Sequence, residues 1–197
     1  MAFVNPLAIM LLSLGSSAFI LALYFYYVVK GRKLDSIIVP AFVLGAFDFI
    51  SGFFMSFTWP FTAPLVSYNI LFGDPILFLG LLMMAGAYML YKKTALSSLS
   101  YLGIFLGIYL FVGAYAIASY NLEPGVHFLP SFGLYMLSGL AAVLAPIINI
   151  NPKGNGRYLY YLEFIVMILV MLIALFVSAN LIRHGNRLKL ILLNILS

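Results

Sequence analysis

An all-α integral membrane protein, with six transmembrane helices in one bundle, is the architecture this chain predicts, on three observations. Of its 197 residues 65% are hydrophobic and only 8% are charged, whereas a water-soluble domain carries roughly 25% charged residues. The mean hydropathy is +1.15. The apolar residues fall in runs long enough to cross hydrocarbon about 30 Å thick, which takes about 20 residues per helix. A single membrane domain over 1–197 is expected, with spans near 4–29, 36–57, 75–91, 99–120, 130–150 and 158–182 and an interfacial tail at 183–197.

The first run carries Ser13, Ser16 and Ser17, small polar residues that can return hydrogen bonds to the backbone and suit close helix contact. Tyr24, Tyr26 and Tyr27 gather at its end, as aromatic rings do at a bilayer interface. Met1 to Pro6 lacks the basic region of a signal peptide, so the first run is expected to remain in the protein. After the basic loop Lys30 to Asp35 comes the second run, with the acid Asp48 at its middle. The connection 58–73, with Trp59, Pro60, Pro64 and Asn69, is too long for a tight turn and too broken by proline for a span. Gly73, Asp74 and Pro75 close it, and Asp74-Pro75 predicts a helix start with Asp74 as the cap and Pro75 in the first turn.

The third run is short, and Gly80 and Gly86 permit close packing. In the fourth, Gly103 and Gly107 form a small-xxx-small face, extended by Gly113. A loop with Glu123, Pro124 and His127 leads to the fifth run, which bends or ends near Pro146. The sixth run holds Glu163 near its start, and the tail opens on Arg183 and His184. The second and fifth runs share a proline near their starts (Pro40, Pro130) and a Ser-Gly pair (Ser51-Gly52, Ser138-Gly139), in agreement with two inverted three-helix halves.

The net charge of +5 is a topology signal and does not point to nucleic acid. Lys30, Arg32, Lys33, Lys92, Lys93, Lys153 and Arg157 all fall in the loops after odd-numbered spans, and only the tail (Arg183, Arg187, Lys189) breaks the pattern. The positive-inside rule then predicts a multi-pass plasma-membrane protein with its N-terminus outside. The chain has no cysteine, so disulfides, thiol catalysis and thiolate metal sites are excluded.

Two resemblances emerge from these residues. The segment Asn69 to Pro75, following an acid in the previous span, together with Glu123-Pro124-Gly125 and Pro130-Ser131, resembles an archaeal family of uncharacterised polytopic membrane proteins. That family implies no activity. Asn5-Pro6-Leu7, the glycine-bearing second span, Gly133-Leu134, Gly139 and Ala142 are remotely similar to the acetate-uptake transporter family, although the second proline of its Asn-Pro-Ala-Pro motif is missing. This second likeness implies six spans and transport of an anion or a proton-coupled solute.

Asp48 is the sharpest candidate for chemistry. A charged carboxylate at mid-membrane costs about 2.5–3.5 kcal/mol or more, and such acids face the bundle or a water cavity. Two readings are open: a proton or cation site for transport, or a protonated side chain bonded to a neighbouring Ser or Tyr that locks two helices. Glu163 reads as an interfacial acid snorkelling toward Arg157. Asp74, Glu123, His127 and His184 are expected as a polar cluster on the outer face. Asn69, Gly73, Pro75, Gly103 and Gly107 are expected to be structural. No histidine spacing of a metal or haem site and no phosphate loop or nucleophile elbow is present, so no enzyme, cofactor or metal is expected. Two functions remain: a small-solute channel or proton-linked carrier for a short carboxylic acid or a cation, or a structural or accessory subunit. The lipid bilayer is the expected partner, with a homo-oligomer or a larger membrane complex open. Water access to Asp48 separates the two functions.

Overall fold

Hydrocarbon offers backbone groups no water, so a spanning segment of this composition must bond internally as a helix. The computed structural model describes residues 6–62, 66–123 and 125–196, with side chains for 7–62, 66–123 and 125–181. Asn5, Pro64, Pro124 and the side chain of His184 lie outside the described residues. Among the described residues the helices are α1 (Pro6–Lys30), α2 (Asp35–Thr58), α3 (Ser67–Tyr91), α4 (Ser97–Tyr120), α5 (Phe128–Leu144) and α6 (Gly156–Leu196). Short 3-10 turns at Gly125–His127 and Ala145–Asn149 flank α5, so the fifth apolar segment runs from Gly125 to Asn149. Among the described residues six segments are long and apolar enough to cross a membrane.

Two local expectations are overturned. Pro75 does not open a helix; it sits inside α3, which begins at Ser67. The reason lies in Asn69. Its Nδ2 donates to Phe61 O at 2.7 Å and to Val66 O at 3.0 Å, while its Oδ1 accepts from Phe61 N at 3.1 Å. The buried amide thus binds the connection to the first turn of α3 and supports two turns before the proline. A proline inside a helix removes its own backbone bond and crowds the carbonyl four residues back, so the disturbance at Pro75 is confined to one turn. The tail from Arg183 is likewise no separate segment: its backbone continues α6 to Leu196, and Gly185, at about 1 kcal/mol against alanine, is too weak a breaker to end it.

The helices form three intimate pairs, α2 with α3, α1 with α6 and α4 with α5, joined by looser seams between α1 and α2, α5 and α6, and α3 and α4. Small residues set the intimacy. A Cβ on Gly52 would stand 2.7 Å from Leu77 Cα and 2.8 Å from Gly73 O, and one on Gly80 would stand 2.6 Å from Gly45 O. The α2 and α3 backbones therefore touch directly, which in lipid replaces the missing hydrophobic drive with van der Waals contact. Gly73 is placed against Ser56 in the same interface. Gly103 and Gly107 serve α4 in the same way, facing Ala142 O at 3.0 Å and Gly139 O at 2.8 Å.

Gly52→Ala should therefore cost about 1–3 kcal/mol by forcing α2 off α3. The same change at Gly86, where a Cβ meets only Leu99 Cδ2 at 3.4 Å, should be neutral or stabilise by up to about 1 kcal/mol. Thermal unfolding of the two purified variants tests the contrast.

Candidate functional site

Ser13 and Ser17 stand one turn apart on α1, so both hydroxyls share a face. That face meets α2 at Asp48. Ser13 Oγ donates to Asp48 Oδ1 at 2.5 Å and Ser17 Oγ donates to Oδ2 at 2.6 Å. Asp48 and Ser17 have no exposed surface. Ser16, on another face of α1, bonds back to Leu12 O instead. Each carboxyl oxygen thus has its own donor, and among the described residues no cation stands against it. The clamp also crosses the sparse α1–α2 seam, so it ties the α2–α3 pair to the α1–α6 pair.

Glu163 departs from expectation. It does not snorkel toward Arg157: its side chain is fully buried, and among the described residues neither carboxyl oxygen has a hydrogen-bond partner. Arg157 Nη2 donates to Tyr161 Oη at 3.2 Å. The register of α6 explains both. Tyr160, Glu163, Val166, Val170, Ala174 and Ser178 fall on the buried stripe at spacings of three and four, while Arg157 and Leu162 fall outside it. The inward part of this stripe is fastened at its other end by Ser178 Oγ, which donates to Ala8 O at 2.7 Å.

Of the residues expected on the outer face, Asp74 and Glu123 are engaged separately. Asp74 Oδ2, on α3, accepts from Tyr109 Oη on α4 at 3.0 Å. Glu123, in the connection before α5, is buried and bonded to Tyr68 of α3. His127 ends the 3-10 turn ahead of α5. Among the described residues no three such groups converge as a metal site. Burial holds the Glu123 carboxyl above its ordinary pKa, and the Tyr68 hydrogen bond offsets only part of that. The folded chain then binds more protons at this site than the unfolded chain between the ordinary carboxyl value of about 4.3 and the raised one. Stability contributed here is full below that window and falls as pH rises through it. Glu123→Gln should flatten the fall, and Tyr68→Phe should steepen it; unfolding midpoints measured across the acidic range check both.

No curated protein and no solved structure matches the chain. Residues 1–184 match a family model described as Protein of unknown function (DUF981). That match covers nearly the whole chain, Asp48 and Glu163 included, so this six-helix membrane protein belongs to that family of unknown function.

Proposed function

We propose that the protein is a non-enzymatic structural or accessory component of a membrane assembly, in which Asp48 joins helices and carries nothing across the bilayer. One observation supports this above all: both Asp48 oxygens are taken by serine hydroxyls, and the side chain has no exposed surface. A proton or cation site needs a polar path, and Asp48 does not line the central cavity of the bundle. We also infer a plasma-membrane location with the N-terminus outside. Support comes from cations of the odd-numbered connections resting on tyrosine rings, with Arg32 over Tyr27, Lys92 over Tyr88 and Arg157 over Tyr161. Such a belt suits the cytoplasmic interface.

The test uses proteoliposomes and unfolding together. Wild type should take up no labelled acetate beyond protein-free liposomes at any external pH. Asp48→Asn should fold normally, whereas Asp48→Leu should lose about 1–3 kcal/mol by orphaning two hydroxyls. Adding Ser13→Ala and Ser17→Ala to Asp48→Leu should recover part of that loss. Wild-type uptake that disappears in Asp48→Asn would overturn the reading.

A proton-linked carrier of a short carboxylic acid or a cation is the second reading, and Glu163 favours it. A buried acid with no partner in a membrane helix is a functional site by default, and the Asn5-Pro6 likeness to acetate-uptake transporters points the same way. Replacing such an acid by a well-packed apolar residue is neutral or stabilising. Glu163→Leu should therefore hold or raise the unfolding midpoint. On this reading it also abolishes an uptake that wild type shows and that rises as external pH falls; uptake unchanged in Glu163→Leu rules the reading out.

A further inference from the structure

The pairing of α1 with α6 brings the end of one helix beside the start of the other. Two ring contacts fix this register: Phe25 meets Tyr160 with centroids 6.0 Å apart, and Tyr26 meets Phe164 at 5.6 Å. Cations from two connections distant in the sequence are thereby gathered. Arg157 Nη2 donates to Tyr161 Oη at 3.2 Å, and its guanidinium lies 5.3 Å from the centre of that ring. Lys30, from the other helix, reaches the same hydroxyl. Its ammonium also stands 5.7 Å from the centre of the Tyr26 ring, which Arg32 shares at 5.8 Å.

Like charges brought this close repel one another unless an anion joins them. The chain itself does not provide that anion. Among the described residues Lys30, Arg32 and Arg157 form no ion pair; Asp35, three residues from Arg32, has none either, and Glu163 lies on the buried stripe of α6. Arg157 uses one of its five donors on Tyr161, and the remaining planar edge can hold two phosphate oxygens side by side. A guanidinium resting on an aromatic ring keeps that edge free. The surface next to these cations is apolar. Tyr158, Leu162, Ile165 and Leu169 of α6 are exposed, and their spacing of four, three and four makes one stripe. It starts beside Arg157 and runs toward the middle of the span. A soluble anion gains nothing from such a stripe, whereas an acyl chain covers it.

We propose that this end of the α1–α6 pair binds an anionic phospholipid. Its phosphate sits between Lys30 and Arg157, Arg32 adds attraction at the rim, and an acyl chain follows the exposed stripe of α6. The tyrosines lie at head-group level, as interfacial rings do, and basic pockets at helix ends suit anionic head groups. The inference rests on neither reading of Asp48, and it holds for whichever leaflet meets this end of the bundle.

The test uses the full chain in dodecylmaltoside micelles, with dioleoyl-phosphatidylglycerol or dioleoyl-phosphatidylcholine added at increasing mole fraction. The two lipids share their acyl chains, but choline carries an ammonium that cancels the phosphate charge. A lipid that binds the folded state raises the unfolding midpoint with its concentration, which yields an apparent affinity. Phosphatidylglycerol should bind at least about tenfold more tightly than phosphatidylcholine, the value of one hydrogen bond to a charged group. Lys30→Gln and Arg157→Gln should each remove most of that preference. Lys93→Gln, an equal change of charge in the connection after α3, should leave it intact. All three side chains are exposed, so each variant should unfold near the wild-type midpoint before lipid is added. Equal affinities for the two lipids in wild type would overturn the proposal. So would a loss in Lys93→Gln as large as in Arg157→Gln, which would mean diffuse surface charge. A shift of the same size with glycerol 3-phosphate alone would mean a site for soluble anions, and would overturn it too.

Discussion

The carboxyl of Asp48, held between the hydroxyls of Ser13 and Ser17, is the contact on which the arrangement of the bundle turns. In water, two apolar helix faces would associate without it. In hydrocarbon that drive is absent, because lipid tails are as apolar as leucine, and helices are held by close backbone contact and by hydrogen bonds between them. This bundle uses the first device inside its pairs and the second between them. Within α2–α3 the glycines bring backbone onto backbone. Across α1–α2 few residues meet, and the clamp supplies what surface contact does not. Interhelical hydrogen bonds in membranes average only about 0.6 kcal/mol each. Their value here is therefore register as much as strength: a slide of one turn along α1 would take one serine from the acid.

Much of this was legible in the sequence, for a physical reason. Spans are recognisable because the bilayer has a fixed thickness, and the basic connections mark their ends. The acid at mid-span was legible as a group that needs donors, but its pairing with Ser13 and Ser17 was not, since the serines of the first run read equally well as bonded to their own backbone. The start of α3 was not legible. Asp74-Pro75 carries the same local signal whether it caps a helix or lies within one, and the deciding contact is Asn69 with Phe61, eight residues back. Glu163 was misread for a related reason. In a segment apolar on all sides, composition gives no face, so the rotation of α6 against its neighbours cannot be read from spacing to Arg157.

The two three-helix halves are also packed differently. In the first, the second helix is most intimate with the third; in the second half, α5 is most intimate with α4 and meets α6 more loosely. The serine–glycine pairs follow this difference. Gly52 is pressed against α3, and Ser51 bonds to Asp48 O. Gly139 faces α4, and the hydroxyl of Ser138 is buried without a partner among the described residues. The same two-residue pattern thus bonds its serine in one half and leaves it unpartnered in the other.

Polar groups in this interior fall into two sorts, and their distribution follows the seams. Asp48, Asn69 and Ser178 are satisfied, and each fastens one element to another. Glu163, Tyr135 and Ser138 are buried without partners among the described residues. An unsatisfied buried group costs about 1–3 kcal/mol, more if charged, and an apolar substitute was available at each position. Stability alone does not account for all three. Tyr135 and Ser138 lie beside the seam where α3 and α4 meet least, the part of the bundle that can open at least cost, since few contacts must be broken there.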